Sequence, residues 1–234
     1  MVFHAAIEDM EPGNWVAWVF EYPGCYARAS TRDQALGLVP QVIEELLVRL
    51  RQAAFLPDNE SPEINVAVAE EFRAFQSTRD YLVNAFFDND RIPLTENDIK
   101  YAHCVLGINR NDLLAVIDGL LQNDLSREIQ GEVQKNIGGI LRHIGTAEWW
   151  YWDRLGLAFP RQDRPVDIGT LLATIREFTI KHLPELVGST LIKTCSGEEW
   201  SPRKLLRRTI WHERVHTLQV KRYIERGQVN SEGK

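Results

Sequence analysis

The chain has 234 residues, 44% of them hydrophobic and 26% charged, enough for one large or two small globular domains. No apolar run approaches the roughly 20 residues that span a bilayer, and Glu8, Asp9 and Glu11 come too early for a secretory leader, so a cytoplasmic protein without membrane contact is expected. The net charge of −6 argues against a nucleic-acid binder that grips phosphates without regard to sequence.

Cys25, Cys104 and Cys195 are odd in number, far apart and without a CxxC pair, which predicts reduced thiols packed as small apolar residues. Val2 to Ile7 carries strand chemistry, and Pro12-Gly13-Asn14 is a turn signal. Asn14 to Tyr22 is rich in aromatic and β-branched residues and predicts a second strand. Pro23-Gly24 breaks it, and Cys25 to Ala29 can form a third. Thr31 is suited to cap a helix, with Gln34 at the capping-box position. Ala35, Leu36, Val39, Val42, Ile43, Leu46, Leu47 and Leu50 then recur at helical spacing, with Pro40 tolerable in the first turns. After Pro57 to Pro62, Ile64 to Val68 alternates as a strand, while Tyr81 to Phe87 reads equally as a strand or a short helix.

This β-β-β-α-β order, with the stretch GNWVAWVFEYPGCYARASTRDQAL, resembles the HicB-like family, a partial ribonuclease-H-like fold found in many antitoxins. Pro23, Gly24, Cys25, Thr31, Asp33, Ala35 and Leu36 carry the match, and Ser30 stands where Gly is common. The resemblance covers about the first third of the chain. It implies a small α+β domain over residues 1–88 that recognises a protein or nucleic-acid partner.

The remainder, 89–234, is helical. Thr95-Glu96-Asn97-Asp98 opens a long amphipathic run to Leu120. A second helix is expected from about Gln130 to Leu155, and a third from Asp167 to Pro184 or Val187. Ser201-Pro202 starts a fourth, which runs through Ile224 and stops at Gly227. Helices with short connections predict an up-and-down four-helix bundle.

Only six histidines occur in the chain, yet His212 and His216 stand one helical turn apart. At about 100° per residue, Leu205, Thr209, His212, His216, Gln219, Val220 and Tyr223 share a stripe, with Arg207, Arg214 and Lys221 opposite. The histidines are therefore expected inside the bundle and the basic residues in water. His143 lies at the edge of the apolar stripe of the second helix, beside Ala147 and Trp150, so it can complete a three-imidazole site with an open position. His212-Glu213-Arg214-Val215-His216 also spells the HExxH string of zinc proteases. The only acids after it, Glu225 and Glu232, are poorly placed as a third ligand, and helices precede it where a substrate-binding sheet edge belongs. His4, His103 and His182 read as structural or exposed. Arg203-Lys204 and Arg207-Arg208 read as a solvated face, with an anchor for an anionic substrate or a thiol cofactor's carboxylates as the alternative.

The stretches LRHIGTAEWWYWDRLG and WHERVHTLQV resemble the DinB/YfiT-like family of metal-binding four-helix bundles, over about residues 93–226. His143, Ala147, Glu148, His212, His216 and Gln219 match its motifs. The resemblance implies a divalent ion, most often nickel or zinc, held by His143, His212 and His216. Some relatives are transferases or isomerases that use a low-molecular-weight thiol such as mycothiol or bacillithiol, and members often form homodimers. Glu148 or Glu213 is then the candidate base or ligand-orienting group, and Trp150, Gln219 and Tyr223 are candidate pocket residues. The whole reads as an α+β protein acting as a metal-dependent transferase, isomerase or hydrolase on a small molecule. The alternative is a regulatory module whose metal only stabilises the bundle.

Overall fold

Period-two alternation builds the first layer. The computed structural model describes residues 1–11, 13–58, 63–76, 82–131 and 133–231, with side chains through Gly227. Pro12, Pro62, Tyr81 and Glu232, named above, lie outside these residues. Strands β1 (Val2–Glu11), β2 (Asn14–Val19) and β3 (Tyr26–Ala29) form an antiparallel meander. Phe3, Ile7, Ala17 and Val19 face one side of it, and Ala6, Val16 and Trp18 the other.

Thr31 caps α1 (Arg32–Gly37), its side chain accepting from the Gln34 amide. The single helix expected here is divided at Leu38. The second part, α2 (Val39–Gln52), places Pro40 in its first turn, where an amide has no intrahelical acceptor to lose. These helices cross over to β4 (Asn65–Arg73), which lies parallel to β1, so the sheet order is β3-β2-β1-β4. Ile43, Leu47 and Leu50 join Phe3 and Ile7 in one core. Strands β5 (Phe75–Gln76) and β6 (Leu82–Val83) pair as a small ribbon; residues 84–87 then lead to a 3-10 turn, Asp88–Arg91. Over its described residues, 82–87, the ambiguous segment is thus a brief strand followed by irregular chain, with no helix.

The bundle comprises α3 (Glu96–Ile117), the short α4 (Gln122–Ser126), α5 (Ile137–Leu155), α6 (Ile168–His182) and α7 (Pro202–Ser231). Helix α5 starts later than expected because Asn136 caps it, accepting from the Gly139 amide. Asp167 caps α6 in the same way, accepting from the Thr170 amide. Before α7 comes an unanticipated hairpin of β7 (Lys193–Cys195) and β8 (Glu198–Trp200). Ser196 and Gly197 turn it at φ 57° and 85°, the left-handed pair that a two-residue hairpin favours. Helix α7 continues past Gly227, where a stop was expected; a glycine inside a helix costs only about 1 kcal/mol.

The largest correction concerns the start of α7. Arg203, Lys204, Arg207 and Arg208 are all buried, and of the residues expected to face water Arg207 is buried, Arg214 half-buried and Lys221 exposed. The N-terminal sheet covers that side of the helix. Trp211 lies 5.6 Å from Trp18 on the sheet, and Tyr101 of α3 donates to the Pro23 carbonyl at 3.2 Å. Gly24, at φ +84°, is pressed against the Ile210 side chain so closely that a Cβ would collide with it.

Each of the first three cations is answered. Arg203 donates to both Asp98 oxygens at 3.1 and 2.8 Å and to the carbonyls of Ile92 and Pro93. Lys204 donates to Glu198 at 2.9 Å and to the carbonyls of Asn84 and Glu199. Arg207 makes a fork with Asp90 at 3.1 and 2.7 Å and reaches the Ala85 carbonyl. Burial pushes the Lys204 ammonium down to about 8, against the pull of Glu198.

Two substitutions test this docking. Lys204→Met strands the fully buried Glu198 and should lower stability in urea by about 3–5 kcal/mol, whereas Lys204→Met with Glu198→Leu should recover much of that loss. Gly24→Ala should cost about 1–3 kcal/mol by overpacking against Ile210, read as a lower denaturation midpoint.

Candidate metal centre

Helix α5 supplies His143, and α7 supplies His212 and His216 from successive turns. The packing of α5 on α7 brings the three rings together, with centroids 4.7 Å (His143–His212), 4.9 Å (His143–His216) and 4.4 Å (His212–His216) apart. One nitrogen from each ring lies within 4.8 Å of the others. The Nε2 atoms of His143 and His212 are 3.0 Å apart. His212 is buried, while His143 and His216 are half-buried.

Burial lowers the basicity of His143. Burial, with His216, His143 and Arg208 nearby, holds His212 well below the ordinary histidine value. Neutral imidazoles with available lone pairs are what a metal requires. His216 Nδ1 lies 2.6 Å from Gln219 Oε1, and Gln219 Nε2 donates to the Tyr223 hydroxyl at 3.2 Å. An amide oxygen only accepts, so Nδ1 carries a proton and Nε2 is the nitrogen left for a metal. Gln219 therefore does for His216 what an outer-sphere partner does for a metal ligand: it sets tautomer and ring orientation. The donor set of three imidazoles suits zinc, nickel or copper and not the oxygen-seeking magnesium or calcium. The residues fit the ion.

A cavity of about 470 Å³ opens above the three histidines. Trp150, Tyr151 and Trp211 wall it, and Arg208 reaches it from the turn of α7 before His212. The structure thus brings Trp150 to the histidines as expected. Gln219 and Tyr223 stand behind His216, and Tyr223 lines a different cavity beside α4. Arg208 belongs to the cluster whose sequence reading is a solvated face or an anion anchor, and Tyr151 is a wall residue that the sequence did not single out. The spacing of Arg208, His212 and His216, four residues apart each time, was the available signal.

Glu148 and Glu213 do not line this cavity. Arg176 of α6 donates to both Glu148 oxygens at 3.0 Å and to Glu213 at 2.7 Å, and Arg110 of α3 donates to Glu213 at 2.7 Å. Burial raises the Glu148 pKa, but Arg176 and Arg110 outweigh it and hold the carboxyl below its usual range. These two acids tie α5 and α7 to α3 and α6. Among the other histidines, His4 pairs with Glu21 and His182 with Glu185, away from the centre; His103 does not line the cavity either.

Gln219→Leu should leave the fold intact and weaken metal binding by about 10–100-fold, the usual consequence of losing an outer-sphere partner; competition titration against a chromophoric chelator reads it. Compared with known proteins, the chain matches no family model, no curated protein and no solved structure.

Proposed function

We propose that this chain is a divalent-metal enzyme of the DinB/YfiT-like type, carrying a HicB-like first domain and acting on a small molecule by thiol-dependent transfer or isomerisation, or by hydrolysis. One observation carries the proposal: three imidazoles from two helices converge at the floor of an open cavity. A structural zinc site is closed by a fourth protein ligand, whereas a catalytic one keeps a position free. Among the described residues no cysteine or carboxylate joins the histidine cluster. The parallel return of β4 beside β1, after a Thr-capped helix, supports the HicB-like reading of the first domain.

In this reading His143, His212 and His216 hold nickel or zinc. The ion, when bound, lowers the pKa of a thiol or water in its free position and so supplies a nucleophile at neutral pH. Gln219 keeps His216 oriented. Trp150, Tyr151 and Trp211 surround the ligand with apolar surface and limit its contact with water. Glu148 and Glu213 hold the ligand-bearing helices at fixed spacing.

Elemental analysis of untagged protein beside His212→Ala/His216→Ala tests this. One equivalent of nickel or zinc in the first and none in the second is the expected result. An absence of metal in both would overturn the proposal. Activity screens on the loaded protein should then begin with thiol transfer.

A further inference from the structure

Of the cations at the start of α7, Arg203, Lys204 and Arg207 each meet a carboxylate. Arg208 meets none among the described residues, although it is only 6% exposed. Its guanidinium lies 4.1 Å over the Trp211 ring, and its charge also acts on the buried Tyr151 hydroxyl. Its Nε and Nη1 have no hydrogen-bond partner, and neither does the buried Nε1 of Trp211. A buried donor without an acceptor is costly, and of the residues with such orphaned atoms Arg208 and Trp211 are the two that line the histidine cavity. No carboxylate lines it.

We propose that this cavity seats a carboxylate-bearing small molecule, its carboxylate held by Arg208 and Trp211 and its other end over the histidines. A planar guanidinium matches a carboxylate in a two-pronged pair. One cation beside one neutral indole N–H balances a single negative charge, which favours a carboxylate over a doubly charged phosphate. Arg208 stands one turn before His212, so a molecule of a few bonds spans both. The aromatic walls suit an apolar body between its ends. This deepens the proposed function and rests on its choice of the histidine cavity as the working site, but not on a metal being bound.

The carboxylate could belong to a substrate or to a thiol cofactor, and two probes separate these sources. Phenylacetate carries an apolar body, and 3-mercaptopropionate carries a thiol. Each is titrated by calorimetry against its own amide, with the full chain both metal-free and zinc-loaded. At least one acid should bind about tenfold or more tightly than its amide, the scale of a charge-assisted hydrogen bond. A preference confined to 3-mercaptopropionate on zinc-loaded protein assigns the seat to a cofactor; a preference for phenylacetate assigns it to a substrate. Arg208→Met should abolish the preference while retaining zinc stoichiometry and near-ultraviolet circular dichroism. Trp211→Phe, which keeps the ring and removes only the donor, should reduce it and serves if Arg208→Met does not fold. Acids that bind no better than their amides, or a preference that survives in folded Arg208→Met, would overturn the inference. An Arg208-dependent preference in a chain that takes up no metal would sustain it while the metal reading fails.

Discussion

Positive charge in a dry interior has to be neutralised locally, and the first turns of α7 concentrate that demand. Arg203, Lys204, Arg207 and Arg208 occupy a stretch of six residues and are all buried. An unpaired cation there would be several kcal/mol out of balance. The answering groups come from residues 84–93, from the first turn of α3 and from the hairpin before α7: Asp90, Asp98 and Glu198, with carbonyls of Asn84, Ala85, Ile92 and Pro93. Satisfying the cations therefore sets where the connecting chain runs, and with it the seat of the sheet on the bundle. Arg208, the last of the series, is left to the cavity.

A second charged layer lies one to two turns further along α7. Glu213 and Glu148 share Arg176, and Arg110 closes the group, so four helices meet in one hydrogen-bonded set. Arg176 and Arg110 also donate to the backbone carbonyls of Leu106 and Leu172. A site that needs ring nitrogens placed to within fractions of an ångström benefits from such a frame, because a metal centre is only as well defined as the helices that carry its ligands. His212 and Glu213 are adjacent in sequence and face different neighbours, one toward the cavity and one toward Arg110 and Arg176. The HExxH string is thus met in spelling while its glutamate serves packing.

Much of this was legible in the chain. Thr31, Thr95, Asp167 and Ser201 cap helices where capping chemistry placed them, and His143, from the edge of its helix's apolar stripe, meets the one-turn pair His212 and His216. The largest failure has a simple cause. Reading α7 as amphipathic assumed a single dry face, whereas its first half is wrapped on every side by sheet, hairpin and bundle. A run of arginines and lysine looks solvated until its partners are known, and those partners sit up to about 120 residues away in sequence, as Lys204 and Asn84 do. The hairpin of β7 and β8 was invisible for another reason: strands of three residues show too little alternation to register.

Trp211 is the far cover of a sheet made at the other end of the chain. Ala6, Val16 and Trp18 share their apolar cluster with Ala85, Phe87 and Trp211. A ribosome releases the sheet first, and domains generally fold as they emerge. Here that order leaves one sheet face partly uncovered through the synthesis of well over 100 further residues, until α7 arrives. The sheet is therefore completed by the last helix, which also carries two of the three histidines. A chain that has assembled its candidate centre has, by the same step, finished its sheet.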